Sequence, residues 1–156
     1  MIWLIAAALG ALALDVASKA AAACFLQQET VLFGGLVELK LTQNTGMALG
    51  IFSQNGLASL LLPVLAIICG WLLMRRYRLT KVTAVSCGLI LGGFLGNYGQ
   101  RLLQGYVLDM IYFSFLPWFV CNAADICICL GVALLAFSLL LRPQDWEERM
   151  TPNAND

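Results

Sequence analysis

Residues 57–81 read LASLLLPVLAIICGWLLMRRYRLTK, an apolar run followed by a segment with four cations and no acid. The apolar part, Leu57–Met74, approaches the roughly 20 residues that a helix needs to cross the hydrocarbon core of a bilayer. Positive charges in short loops favour the cytoplasmic side of a membrane. The stretch therefore predicts a membrane-spanning helix whose C-terminal end, at Arg75–Lys81, faces the cytoplasm.

Three further apolar runs have the length of a membrane span, at Met1–Phe25, Val82–Leu103 and Phe119–Leu141. Four spans with a cytoplasmic loop between the second and third place both termini in the cytoplasm. The connecting segments 26–56 and 104–118 then face outward, where their apolar and aromatic residues suit the membrane interface. The sequence predicts an all-α transmembrane protein, a four-helix membrane bundle with an N-in/C-in arrangement.

Composition narrows the possible functions. Of 156 residues, 61% are hydrophobic and 12% charged, and the formal net charge is zero, with no basic stripe of the kind that binds nucleic acid. The chain has no histidine, which excludes Ser-His-Asp and Cys-His catalysis. Its six cysteines lack the C-x2-C spacing of a metal site, and we expect them to be small core residues. Acid–base chemistry therefore falls to carboxylates or lysines.

The C-terminal end differs from the rest of the chain. From Arg142 onward it is polar, with two prolines and several acids. Such a composition is typical of chain ends that do not pack. We expect a membrane domain over residues 1–142 and a cytoplasmic tail over 143–156 that frays.

Few ionisable groups lie inside the predicted spans, and each needs a partner or a function because charge at membrane depth is costly. Asp15 and Lys19 are four residues apart on one helix face, in the order that favours an ion pair. They are either a self-neutralising structural pair or a support for a substrate site. Asn97 and Arg101 have the same spacing near the outer end of the third span.

Two acids fall at the predicted outer side of the membrane. Asp109 lies between apolar residues, and Asp125 begins the fourth span. Singly, the first is typical of a solvated surface group and the second of a helix N-cap. Together they can converge, and two carboxyl groups within hydrogen-bond reach share one proton. The ionised member can then activate a water while the neutral member polarises a carbonyl, which is a route to peptide hydrolysis.

Five short motifs follow one another along nearly the whole chain. They are Asp15-Val16-Ala17-Ser18-Lys19, Asn44-Thr45-Gly46-Met47-Ala48, Gly92-Gly93-Phe94-Leu95-Gly96-Asn97 with Arg101, Gly105-Tyr106-Val107 with Asp109, and Asn122-Ala123-Ala124-Asp125. In order and spacing this set resembles the motifs of the bacterial lipoprotein signal peptidases, also called signal peptidase II.

The resemblance implies an aspartic endopeptidase of the bacterial inner membrane, with its active site at the outer face. Such an enzyme cleaves diacylglyceryl-modified prolipoproteins before the lipidated cysteine. The resemblance also implies a small β-containing extracytoplasmic subdomain between the first and second helices, at 26–56, that cradles substrate. Prolipoproteins and membrane lipids are the expected partners of a monomer that uses no cofactor or metal.

The resemblance assigns a role to nine residues. Asp109 and Asp125 are the catalytic pair. The supporting residues that bind substrate or hold the pair are Asp15, Lys19, Asn44, Gly46, Asn97, Arg101 and Asn122.

The chain departs from the family pattern at four positions. Gln100 replaces an Asp before the arginine, Leu49 an aromatic residue, Tyr112 an acid, and Cys121 a Phe before Asn122. None of these changes falls on the two catalytic candidates, which favours an active enzyme of altered preference. A catalytically silent lipoprotein-binding homologue is one alternative. A small proton-coupled transporter, using Asp15, Lys19 and Arg101 as a relay, is another.

Overall fold

The computed structural model describes residues 1–46 and 56–148. Its four α-helices run in chain order over α1 (Ile2–Phe25), α2 (Gly56–Met74), α3 (Lys81–Gln104) and α4 (Ala123–Leu141). Motif residues Met47 and Ala48 and the departure at Leu49 lie outside the described residues.

Helix α3 lies at the centre of the bundle, packed extensively against α1 and α4 and to a lesser extent against α2. Its glycines make these contacts possible. Gly92 faces the backbone of Ala8 in α1, and Gly93 faces the carbonyl of Ala124 in α4, so that neither position has room for a Cβ atom. Small residues let membrane helices approach closely, and the glycines thereby fix the positions of α1 and α4 around α3.

Three of the described helices have the length and composition of membrane spans. Within the described part of the chain, α1, α3 and α4 are long and apolar enough to cross a bilayer, and the described part of α2 that is apolar, Ser59–Met74, is shorter. Large apolar side chains point outward from the bundle, among them Leu9 in α1, Leu65 in α2 and Leu139 in α4. The ends predicted for the first three apolar segments match the ends of α1, α2 and α3 to within one residue.

The fourth helix begins at Ala123, four residues later than Phe119, where the sequence pattern placed the start of the span. The two residues before Asn122 form strand β4 (Val120–Cys121) instead. Asn122 then caps the helix in a capping box with Asp125. The apolar run therefore continues across a change of secondary structure that hydropathy does not detect.

A four-stranded antiparallel sheet lies at one end of the bundle, in the order β1 (Thr30–Leu32), β2 (Val37–Asn44), β3 (Val107–Phe113) and β4. Half of its strands come from between α1 and α2 and half from between α3 and α4. The β structure expected between the first two helices is present as β1 and β2. The sheet also takes β3 and β4 from the segment between α3 and α4, which was predicted only as an outward-facing connection.

Gly105 makes the sharp transition from α3 into the sheet. Its φ of 80° lies in the left-handed region, and its N–H donates to the carbonyl of Arg101, as in a helix C-cap. Two residues later β3 begins. This short link places Asp109 directly beside the end of α3.

The C-terminal tail packs against the opposite end of the bundle. Asp145 is 2% exposed and accepts a hydrogen bond from Arg142 Nε at 2.7 Å, which lowers the pKa of its carboxyl group. The backbone N–H of Arg78, in the cationic loop, donates to the carbonyl of Glu147 at 3.1 Å. The prediction that the tail frays from Arg142 onward is wrong up to Glu148, because these contacts tie it to the loop before α3.

The cysteines do not all lie in the core. Cys121 and Cys127 are buried, but Cys24, Cys69 and Cys129 are exposed on the apolar surface. In a membrane protein the outer surface is as apolar as the core. Apolar neighbours in the sequence therefore do not tell whether a cysteine is buried or lies on the surface.

Candidate active site

Asp15 connects three helices. Its Oδ2 accepts a hydrogen bond from Lys19 Nζ at 2.8 Å within α1, and its Oδ1 accepts one from the backbone N–H of Ala124 at 3.1 Å, in the first turn of α4. Gly96 of α3 lies directly against the carboxyl group. The predicted ion pair is confirmed, and Asp15 additionally satisfies one of the N–H groups that the start of a helix leaves without a partner.

Lys19 carries this network on to Asn97 of α3. Lys19 Nζ donates to Asn97 Oδ1 at 2.9 Å, and Asn97 Nδ2 donates to Asp125 Oδ1 at 2.8 Å. The lysine contact therefore fixes which end of the Asn97 amide faces the carboxylate. The Asp15–Lys19 pair is thus more than a neutralised structural pair, since it also holds a residue of the candidate site.

Asn122 lies between the two candidate acids. Its Nδ2 donates to Asp109 Oδ1 at 2.6 Å and to Asn97 Oδ1 at 3.0 Å. In the capping box, its backbone N–H donates to Asp125 Oδ2 at 3.1 Å, and its Oδ1 accepts a hydrogen bond from the backbone N–H of Asp125 at 3.0 Å. Asn122 is fully buried, and all of its polar atoms that face the site are used.

Asp109 is held from both sides. Besides the bond from Asn122, its Oδ2 accepts a hydrogen bond from Asn44 Nδ2 at 2.9 Å. Asn44 ends strand β2, which pairs with β3 in the sheet. The sheet thereby delivers both residues to the end of the helical bundle.

Arg101 and Gly46 complete the set. Arg101 Nη2 donates to the carbonyl of Gly46 at 2.6 Å, and the N–H of Gly46 donates to Asn44 Oδ1 at 3.0 Å. Arg101 Nε is buried and has no hydrogen-bond partner among the described residues. All nine residues predicted for the site therefore belong to one connected network.

The described hydrogen bonds join the carboxyl groups of Asp109 and Asp125 through the two amides of Asn97 and Asn122, not directly to each other. Both acids line one cavity of about 190 Å³. The other residues around it are Asn44, Pro63, Phe94, Asn97, Tyr98, Arg101, Val107, Phe119 and Ile128. The acids thus face a common space that is large enough and polar enough to hold water.

Burial, together with the charge of Asp125, raises the pKa of Asp109 to about 6, although the hydrogen bonds from Asn44 and Asn122 act in the opposite direction. Counting full charges, Asp15, Asp109 and Asp125 oppose Lys19 and Arg101. Three acids and two cations are neutral when one acid is protonated. A single proton on the pair of acids therefore balances the cluster in a low-dielectric site.

Cys121 does not add a nucleophile to this cluster. Its side chain is 2% exposed, and burial, together with the neighbouring carboxylates, raises the pKa of the thiol to about 12. Only the thiolate is strongly nucleophilic. At neutral pH the group at this position is a neutral apolar contact.

Sequence reasoning missed one residue of the site's framework. Gln100 Oε1 accepts a hydrogen bond from the backbone N–H of Leu108, next to Asp109, at 2.9 Å. In the sequence, Gln100 stands out only because it replaces an Asp of the family pattern. That replacement indicates a lost charge, and it does not predict the contact with Leu108.

The bundle and its cluster define a polytopic membrane protein with two acids in one cavity, at the end of the bundle that carries the sheet. The chain belongs to the signal peptidase II family, because the model of the family described as Signal peptidase (SPase) II matches residues 7–141. It is therefore a member of a family of membrane peptidases.

Individual relatives agree with this assignment. The lipoprotein signal peptidase of Azoarcus sp. (strain BH72) is 34% identical over 88% of this chain and 82% of its own. That of Caldicellulosiruptor bescii is 35% identical over 81% and 83%. A solved structure, described as a bacterial membrane enzyme determined by the in meso method at 2.3 Å resolution, matches with a TM-score of 0.74 at 22% identity. It covers 96% of this chain and 94% of its own, and at this identity it supports the fold.

Proposed function

We propose that this chain is an aspartic endopeptidase that removes signal peptides from diacylglyceryl-modified prolipoproteins, cleaving before the lipidated cysteine. The observation that carries the proposal is that Asp109 and Asp125 line one cavity and are held through the amides of Asn97 and Asn122. The names of the relatives, which are lipoprotein signal peptidases, supply the substrate class.

The environments of the two acids suggest different roles. Asp125 lies in the first turn of α4, where the helix dipole favours negative charge, and it accepts hydrogen bonds from Asn97 and from the backbone of Asn122. Asp109 is the more deeply buried acid, with a pKa raised to about 6. We therefore assign Asp125 as the general base and Asp109 as the acid that holds the proton.

The reaction then needs no other group. Asp125 takes a proton from a water, and the water oxygen attacks the carbonyl carbon of the scissile bond, while Asp109 donates a hydrogen bond to the carbonyl oxygen. The tetrahedral intermediate breaks at the C–N bond, and the proton on Asp125 goes to the leaving amine of the cysteine. The two acids, which form the catalytic dyad, then hold a single proton again, because Asp109 has kept its own proton throughout.

The position of the cavity suits a substrate that arrives in the membrane. It lies at the end of α3 that leads into the sheet, opposite the cationic loop before α3. With that loop in the cytoplasm, both termini are cytoplasmic and the cavity is at the outer face of the inner membrane. A diacylglyceryl group can remain among the lipids while the adjacent peptide bond enters the cavity.

The test uses purified protein and a lipobox peptide with a diacylglyceryl-modified cysteine. Asp109→Asn and Asp125→Asn remove the proton donor and the base, and each should lower the rate of cleavage at least about 10³-fold, as for other essential acid–base groups. Products are identified by mass. Asp145→Asn, at the far end of the bundle, is the matched control and should cleave at close to the wild-type rate.

Three results would contradict the proposal. Cleavage by both Asn variants at the wild-type rate would exclude the dyad, and binding of the peptide by wild-type protein without turnover would favour a silent homologue. Acid-induced proton flux in vesicles that depends on Asp15, without peptide cleavage, would favour a transporter.

The dyad also predicts a bell-shaped dependence of kcat on pH, since one acid is ionised and the other protonated. Burial raises the pKa of Asp109 to about 6, and bound substrate excludes more water from this group, so that the alkaline limb of the profile should lie at or above about pH 6. Initial rates from acid to alkaline pH, on protein shown to stay folded, measure this profile. A flat profile would contradict a shared-proton mechanism.

A further inference from the structure

Among the described residues, the strand that carries Asp109 has one neighbouring strand at that point. β4 pairs with β3 only at Ile111 and Tyr112, whereas β2 pairs with β3 from Val107 to Phe113. Strand β4 therefore does not reach the first part of β3. Backbone groups on that side need another partner.

Gln100 supplies this partner from α3. Its Oε1 accepts the hydrogen bond from Leu108 N–H at 2.9 Å, and its Nε2 donates to Gln104 Oε1, one helical turn away, at 3.1 Å. Both ends of the amide are used, so that the oxygen is held toward the strand. The side chain thus takes the place of a missing strand for the residue directly before Asp109.

The pairing on the other side of β3 is irregular near the same point. The register between β2 and β3 shifts between Leu39 and Thr42, and Thr42 is the residue opposite Asp109. A β-ladder that is interrupted in this way fixes the position of a strand less firmly than a continuous ladder does. The hydrogen bonds that Asp109 accepts from Asn44 and Asn122, at 2.9 and 2.6 Å, nevertheless require that this strand stays in one position.

We propose that Gln100 is a positioning residue for Asp109, acting through the backbone of Leu108. Its importance for turnover rests on the proposed function, whereas the tether itself does not. Gln100 is not among the described residues that line the cavity of the two acids, so that it acts on the geometry of the catalytic carboxyl group and not on contact with substrate.

Three substitutions separate this role from general packing. Gln100→Ala removes the acceptor, and Gln100→Asn keeps an amide but is one methylene too short to hold both partners. Gln100→Glu keeps the length and an acceptor oxygen, and the amide of Gln104 can rotate to donate to it. Gln27→Ala, an exposed glutamine in the loop after α1, is the matched control.

The first readout is hydrogen exchange of the peptide that covers residues 107–113. Gln100→Ala and Gln100→Asn should speed exchange there, while Gln100→Glu and Gln27→Ala should match wild type. The second readout is cleavage of the lipobox peptide. The first two variants should lose about tenfold in kcat with KM unchanged, and Gln100→Glu should restore most of it.

The two readouts keep the proposals separable. Wild-type exchange in Gln100→Ala, or failure of Gln100→Glu to restore exchange and kcat, would overturn the positioning role. A wild-type protein that does not cleave the peptide but shows the expected exchange pattern would overturn the proposed function and leave the tether in place. Losses of kcat that only follow the amount of folded protein would also contradict a positioning role.

Discussion

At the scale of single residues, Asp109 shows how a carboxyl group on a strand acquires a raised pKa. A strand places it against the end of the bundle, where it is 2% exposed and close to a second acid. Its charged form is therefore disfavoured, although two amides donate hydrogen bonds to it. The same burial that prepares it to hold a proton makes its ionisation costly to the fold.

We expect stability to depend on pH through this residue. Because the pKa in the folded state, about 6, lies above the ordinary value of 3.8, the native protein binds the proton more tightly than the unfolded chain. This contribution, on the order of 3 kcal/mol, is fully present below the ordinary value of 3.8 and is lost as pH rises through about 6. Thermal unfolding in detergent at about pH 5 and about pH 8, on either side of that pKa, measures it as a fall in Tm.

Asp109→Asn removes the carboxyl group that titrates in this range. The Tm of this variant should therefore change less between the two pH values than the Tm of the wild type. Glu29→Gln, in the exposed loop after α1, removes an acid elsewhere and should keep the wild-type difference. Equal pH differences in wild type and Asp109→Asn would show that Asp109 is not the group responsible.

The Asp15–Lys19 pair predicts strong coupling between two residues. Lys19→Met leaves Asp15 with an uncompensated charge in the interior and removes the donor to Asn97, at a cost of about 3–5 kcal/mol. In the double variant Asp15→Asn with Lys19→Met both charges are absent, and the amide oxygen introduced by Asp15→Asn can still accept from Ala124 N–H. The double variant should therefore be more stable than Lys19→Met alone, as measured by thermal unfolding. Additive losses would argue against a coupled pair.

At the scale of secondary-structure elements, α3 determines the arrangement of the site. One face is set against α1 by Gly88 and Gly92, another against α4 by Gly93, and Asn97 follows one turn later. Its left-handed C-cap at Gly105 then leads into β3. A single helix thus positions residues that reach Lys19, Asp125 and the backbone beside Asp109.

The glycines of α3 predict unequal effects of the same substitution. A Cβ at Gly92 would meet the backbone of Ala8 and lie 2.8 Å from the Cβ of Ala11, so that Gly92→Ala has to move α1 and should cost about 1–3 kcal/mol. A Cβ at Gly99, in the same helix, would have no atom of the described residues within 4 Å, apart from its own helix, and Gly99→Ala should be neutral or stabilising. Thermal unfolding of both variants tests the difference, and equal Tm values would contradict close packing at Gly92.

At the scale of the whole molecule, the two ends of the bundle have opposite chemistry. One end carries the sheet and the cavity, and the other carries the cationic loop and the C-terminal tail bound to it. In a membrane this asymmetry gives the protein a direction, because the cationic loop favours the cytoplasm.

The proposed orientation predicts where fusions are active. Alkaline phosphatase, which needs an oxidising compartment for its disulfides, should be inactive when fused after Asp156 and active when fused after Gln28. Green fluorescent protein at the same two positions gives the reciprocal control. The opposite pattern would place the cavity on the cytoplasmic side and contradict a site at the outer face.

The sequence by itself determined the parts of this protein that depend on local composition. Apolar length predicted the helices, because each span satisfies its own backbone hydrogen bonds. Spacing predicted the Asp15–Lys19 pair, because residues four apart share a helix face. The motifs also indicated all nine residues of the network, and with them the family.

Only the tertiary structure decided how these parts meet. The sheet joins strands from two distant segments, so that no local pattern revealed that 107–113 pairs with 37–44. Asn97 and Asn122 lie between the two acids, and Gln100 holds the strand beside Asp109, because three helices and the sheet converge at that end. The tail contact at Glu147 was hidden for the same reason, since its partner Arg78 lies far away in the chain. Contacts between distant segments depend on the packing of the whole chain, which hydropathy and residue spacing do not encode.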